Sequence, residues 1–231
     1  MQVPPEFNLN FETFEDSGLI KMKKYSEEWL HSIALGRKRY WCTLLGSSGT
    51  GKTYLANQCR EKIKEMGLDY PLNKFLGFRQ YKPAIEIYMP SFMMNVRQEG
   101  YGYINKASEV DILFLDDLGA EYKTDYGLSA LNEIFNRRLG KWTFITSNLS
   151  LQYIYNDFDG RIASRMMRGN NEIIQTDAID YNLRKIDLMI PARRRSSGGG
   201  SWFDCLSNTK RLPKFSRRRL QPYAFYLGFV L

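Results

Sequence analysis

The octapeptide GSSGTGKT at residues 46–53 narrows what this chain can fold into more than any other part of its 231 residues. It fits G-x-x-x-x-G-K-[ST] at every fixed position and lies between an apolar run at 40–46 that reads as a buried strand and a helical pattern from Lys52 to Met66. Tyr54, Leu55, Cys59, Ile63 and Met66 recur there at helical spacing, and Gly67 stops the helix. Strand, glycine-rich loop and helix in that order form a phosphate cradle. Gly46, Gly49 and Gly51 let the backbone wrap an anion with its N–H groups, Ser47, Ser48 and Thr50 complete the loop, and the helix turns its positive end inward. Lys52 is expected to reach the β- and γ-phosphates of ATP and Thr53 to bind Mg²⁺.

Two further segments belong to the same chemistry. DILFLDD at 111–117 is an apolar strand that delivers two carboxylates at its C-terminal end, where ligands sit in open α/β sheets. Asp116 is expected on the Mg²⁺ side. Asp117, pointing differently from its neighbour, is the candidate to orient or deprotonate the attacking water, with Glu121 a weaker substitute. The strand WTFITS at 142–147 then leads to Asn148, placed to hold the water or the γ-phosphate. Taken alone, Ser147-Asn148 after a strand marks only a turn or a helix N-cap, and its meaning comes from membership of the set.

Strands at 84–89, 111–117, 142–147 and 172–176, with helical stretches near 91–99, 125–139 and 160–168 between them, imply an α/β fold. Five parallel strands covered by helices on both faces are expected. The domain reading is a leader with a short helix (1–39), an ATPase domain (40–190) and a basic Arg-rich tail (191–231) with no sustained periodicity and no expected order.

The charge of +8 is not spread over the chain. Of 33 Lys/Arg and 25 Asp/Glu, nine and one fall in 191–231, which leaves 24 of each upstream, so the whole imbalance sits in the tail. Cys42, Cys59 and Cys205 form neither a disulfide framework nor a zinc motif. The sole histidine, His31, reads as an ordinary helical residue. No run approaches a membrane span, and the acidic N-terminus is no secretion signal, so a cytoplasmic protein is expected.

The ordered set GSSGTGKT, LFLDDLGAE, TFITSN and GRIASRMMRG resembles AAA+ ATPases of the bacterial and phage helicase-loader family, the DnaC/DnaI type, over about residues 11–185. FETFED at 11–16 is similar to a short N-terminal motif of that family. The resemblance implies a P-loop NTPase core without a lid domain. It also implies oligomer-dependent ATP hydrolysis, a replicative DNA helicase as partner, single-stranded DNA binding and a homo-oligomer.

From the same resemblance, Arg165 is the arginine that projects into a neighbour's ATP site, with Arg161 one helical turn before it. Without the upstream motifs, Arg161, Arg165 and Arg168 at i, i+4 and i+7 would read as a solvated helix face. DNA contacts are implied in 90–106, through Arg97, Tyr101, Tyr103 and Lys106, with Arg79, Tyr81 and Lys82 equally placed; Phe92, Met93 and Val96 read as core. The chain departs from the family in its short N-terminus, which lacks zinc ligands. An IstB-type transposition helper and a non-hydrolysing, nucleotide-gated scaffold are the alternatives, the latter because Asp117 stands where active AAA+ sites commonly carry Glu.

Overall fold

Strand alternation sorts the apolar residues of this chain onto two faces. In the computed structural model, which describes residues 6–67, 84–120 and 124–184, five strands form one parallel sheet in the order β2-β3-β4-β1-β5. They are β1 (Trp41–Gly46), β2 (Ile85–Tyr88), β3 (Ile112–Asp116), β4 (Trp142–Ser147) and β5 (Glu172–Thr176). Cys42, Leu44, Ile112, Phe114, Trp142 and Phe144 face one core, while Trp41, Leu45, Leu113, Leu115 and Ile145 face the other. With both faces apolar, both need covering.

Helices α1 (Ser17–Ala34) and α2 (Lys52–Glu65) supply the first cover. Trp29 of α1 is fully buried, edge-on to Phe114 and Phe144 at 5.5 and 5.1 Å, and its indole N–H donates to the Tyr40 carbonyl at 3.1 Å. Each such aromatic pair stabilises by roughly 0.5–1.5 kcal/mol beyond its area. Asp16 starts α1 by accepting from the Gly18 and Leu19 amides at 2.8 and 2.9 Å. That cap places the helix start nine residues before the stretch at 26–35 where periodicity alone suggests one.

The opposite face carries α3 (Met89–Glu99), α4 (Tyr101–Glu109), α5 (Asp125–Arg137) and α7 (Gly160–Met166). Phe92, Met93 and Val96 are buried there, as their spacing implies. Gly100, at φ +58°, breaks α3 from α4. After β4 come a single helical turn, α6 (Leu151–Tyr153), and a π-helical turn, Ile154–Phe158, leading into α7.

Arg138 is the least expected core residue. It is 1% exposed, and burial holds its pKa down to about 9. Its guanidinium donates to Thr143 Oγ1 at 2.9 Å, to the carbonyls of Ala107, Val110 and Asp111 at 3.1, 2.6 and 3.2 Å, and to that of Trp142. It ties the entries of β3 and β4 to the end of α4, at the end of the sheet opposite the phosphate loop.

Among the described residues no helix is long and apolar enough to cross a membrane. The tail 191–231, Glu121, and Arg79, Tyr81 and Lys82 lie outside the described residues.

Candidate nucleotide site

The order β3-β4-β1 sets the C-terminal ends of three strands side by side, and each ends in one of the polar motifs. From β1 the chain enters the loop 46–51, where Gly46, Gly49 and Gly51 adopt φ of +153°, +77° and +92°. A Cβ at Gly46 would meet the Thr176 carbonyl, one at Gly49 the Asp180 carboxylate and one at Gly51 the Phe11 ring. Both the backbone angles and the close neighbours exclude larger residues.

Lys52 opens α2 and is 4% exposed. Its ammonium donates to the Gly46 and Ser47 carbonyls at 2.9 and 2.7 Å, to Thr50 Oγ1 at 3.3 Å and to Asn148 Oδ1 at 2.9 Å. Burial lowers its pKa to about 8, while Asp117 and Asp116 act in the opposite sense.

At the next residue, Thr53 Oγ1 donates to Asp116 Oδ1 at 2.9 Å. A hydroxyl and a carboxylate so placed are hard oxygen donors of the kind Mg²⁺ takes alongside substrate phosphates and water. Among the described residues no group of three or more His, Cys, Asp or Glu could hold a metal by itself. One hydroxyl and one carboxylate fit a Mg²⁺ that completes its shell with phosphate oxygens and water.

Thr146 joins the carboxylates to β4. Its hydroxyl donates to Asp116 Oδ1 at 2.6 Å and accepts from the Asp117 amide at 2.9 Å. Asp117 itself sits at φ +60°, a conformation uncommon for residues other than glycine. Burial first, then the charge of Asp116, raises the Asp117 pKa, against the pull of Lys52 and of Asn148, whose amide donates to Asp117 Oδ1 at 3.3 Å. A carboxylate made more basic is better suited to take a proton from water.

Beside the loop lies a cavity of about 490 Å³ lined by Phe11, Gly51, Tyr54, Tyr181 and Arg184 among others. The guanidinium of Arg184 lies over the Phe14 ring at 4.8 Å, and its Nε and Nη1 are buried with no hydrogen-bond partner among the described residues. Orphaned cationic donors at the edge of a phosphate cradle fit an anionic ligand.

The arginines of α7 gather elsewhere. Arg161 and Arg165 line an open cleft of about 810 Å³ with Asn136, Tyr155, Ser164 and Arg168, and it shares no lining residue with the cavity beside the loop.

No protein-family model matches the sequence. The chain is 24% identical to the replicative helicase loader DnaC of Buchnera aphidicola subsp. Baizongia pistaciae over 176 residues, 71% of this chain and 65% of that protein, so it spans about two thirds of the relative's length. Among solved structures it superposes on DnaI with a TM-score of 0.53 at 24% identity, covering 70% of this chain and 86% of that one. It matches the DnaC helicase loader at 0.55 and 18% identity (71% and 92% covered), and AMPPCP-bound DnaA from Aquifex aeolicus at 0.55 and 22% (77% and 52%). The fold is that of the AAA+ P-loop ATPases. The resemblance to helicase loaders read from the motifs is borne out by the DnaC and DnaI similarities.

On this AAA+ core the structure brings Gly46 to Thr53, Asp116, Asp117 and Asn148 together and sets Arg161 and Arg165 apart. Thr146 belongs to the TFITSN motif, whereas Asn132 and Asp159, which bond through Asn132 Nδ2 at 2.8 Å, carry no local sequence signature. Phe11 and Tyr181 come from segments distant in sequence and reach the loop only through tertiary folding. Of the residues implied for DNA, Arg97, Tyr101 and Lys106 are exposed, but Tyr103 is buried against Phe92 and offers no stacking face. Tyr101 also lies under the Arg137 guanidinium, 5.2 Å from its ring.

Proposed function

We propose that the chain binds and hydrolyses ATP and uses that cycle to help a replicative helicase onto single-stranded DNA, as a homo-oligomer. The observation that carries the reading is a hydrogen-bonded set at the ends of three adjacent strands, in which Lys52 is bonded to Asn148 and Asn148 to Asp117, Thr53 is bonded to Asp116, and Thr146 bridges the two acids. In this reading, residues 46–51 hold the phosphates through backbone amides, with Ser47, Ser48 and Thr50 in the loop. Lys52 exchanges its loop carbonyls for the β- and γ-phosphates. Thr53 and Asp116 hold Mg²⁺, which when bound neutralises charge on the phosphates. Asn148 positions the water and Asp117 takes its proton. The nucleoside end extends toward Phe11, Tyr54 and Tyr181.

Arg165, and behind it Arg161, face a neighbouring subunit's site and stabilise the charge that develops there. The helicase and single-stranded DNA enter by similarity to the DnaC and DnaI loaders. The same similarity favours a loader over a transposition helper.

Paired variants test the division of labour. Lys52→Ala is expected to lose ATP in a calorimetric titration while its circular dichroism stays native. Asp117→Asn is expected to keep ATP and lose turnover by at least about a hundredfold, since general-base catalysis contributes on that scale. A wild-type protein that binds ATP without turnover, with and without single-stranded DNA, would be a nucleotide-gated scaffold.

A further inference from the structure

Two arginines one turn apart on α7 are held in opposite ways. Arg161 is paired with a carboxylate: its Nη2 donates to Asp159 Oδ2 at 2.9 Å and its backbone amide to Asp159 Oδ1 at 2.8 Å. Although burial of Asp159 opposes ionisation, hydrogen bonds from Arg161 and Asn132 hold its pKa at about 2, so that pair is internally neutral. Among the described residues Arg165 makes no ion pair with a carboxylate. Its Nη1 donates to two neutral oxygens, Asn132 Oδ1 at 3.2 Å and the Arg161 carbonyl at 3.0 Å, and its positive charge stays uncancelled.

Asn132 is what sets these arrangements. It lies on α5, 8% exposed, and its amide nitrogen donates to the Leu128 carbonyl at 2.9 Å and to Asp159 Oδ2 at 2.8 Å. Both of those partners are acceptors, so the nitrogen must face them and the oxygen must face Arg165. One buried amide thereby separates an acid that would cancel the Arg165 charge from the guanidinium itself, while still fixing the guanidinium's direction. Its donors and acceptor are all used.

We propose that Asn132 is the positioning residue of Arg165: it aims the guanidinium into the cleft of α7 as an un-neutralised cation for the phosphates in a second copy's site. This rests on the reading of Arg165 as a finger acting in trans. A carboxylate in place of Asn132 would neutralise the guanidinium and, having no donor, would lose the bonds to the Leu128 carbonyl and Asp159 that orient the side chain. An apolar side chain would leave the charge and lose the aim.

Subunit mixing separates a finger defect from a site defect. The control mixes Lys52→Ala, which lacks a site, with Arg165→Ala, which lacks a finger; some interfaces then pair an intact site with an intact finger, and ATP turnover returns. Asn132→Leu should be inactive alone and restored by Lys52→Ala, whose fingers serve its intact sites. Mixed with Arg165→Ala it should stay at least about tenfold below the control, the scale on which misplacing a catalytic group acts. Asn132→Ala, which deletes the contacts without adding bulk, should show the same asymmetry and decides the matter if the leucine variant does not fold. Restoration with both partners alike would overturn the proposal, because Arg165 would then work without Asn132. Failure with both would overturn it too, by showing Asn132 to be structural. If the control pair itself stays inactive, the trans reading falls and this inference with it.

Discussion

Lys52 meets two demands that pull its charge in opposite directions. A buried ammonium favours losing its proton, and burial brings its pKa down to about 8. A phosphate set against it favours the charged form. ATP must then bring a proton with it wherever the free lysine is neutral, so affinity should be full below about pH 8 and fall by up to about tenfold per unit above it. Calorimetric titrations on either side of that value check the sign: the wild type should weaken as pH rises, and affinity that is flat across the range would mean that Lys52 does not hold the phosphates. Residues such as Lys52, Thr53 and Asp116 were legible in the sequence because a fixed spacing on a strand, loop or helix carries their geometry. Asn132 was not, because nothing within a turn of it on α5 announces that Asp159 and Arg165 will fold against it.

At the scale of elements, the register of β3 against β4 completes the site. Pairing Leu115 with Ile145 brings Thr146 beside Asp116 and Asp117, so one hydroxyl both pins a carboxylate and caps the strained turn at Asp117. Thr146→Val keeps the shape and removes both bonds, leaving the Asp117 amide without its acceptor at a cost of about 1–3 kcal/mol. Urea unfolding should register that loss. The Mg²⁺ concentration needed for half-maximal turnover should rise, nucleotide binding without Mg²⁺ should change little, and Thr146→Ser should recover most of both. An unchanged Mg²⁺ requirement would separate Thr146 from the metal side of the site. The three central strands, β1, β3 and β4, were readable from their apolar runs because they are buried on both faces, whereas β2 and β5 at the sheet edges carry exposed residues among the buried ones. Helix ends were less readable: the Asp16 cap begins α1 well upstream of its clearest apolar stripe, and α4, which follows Gly100, lies beyond the helical stretch read at 91–99.

Over the whole molecule, the charge distribution bears on how DNA would be held. We propose the division into a leader, an ATPase domain and a basic tail as functional as well as compositional, with 191–231 carrying the entire excess of +8. A cationic segment releases counterions when it meets a phosphate backbone, so affinity falls with salt in proportion to the contacts made. Contacts from a neutral domain through aromatic stacking and a few placed cations, such as Arg97 and Lys106 beside exposed Tyr101, depend on salt less steeply. Deleting 191–231 should therefore flatten the plot of log affinity against log salt for single-stranded DNA, while ATP binding persists because the loop 46–53 and its partners lie upstream of the cut. Affinity should drop most at low salt and converge with the full chain at high salt, where the electrostatic part is screened. If the slope is the same with and without 191–231, the tail takes no part in holding DNA. The surface that does would then have to be sought on the core, first along α3 and α4.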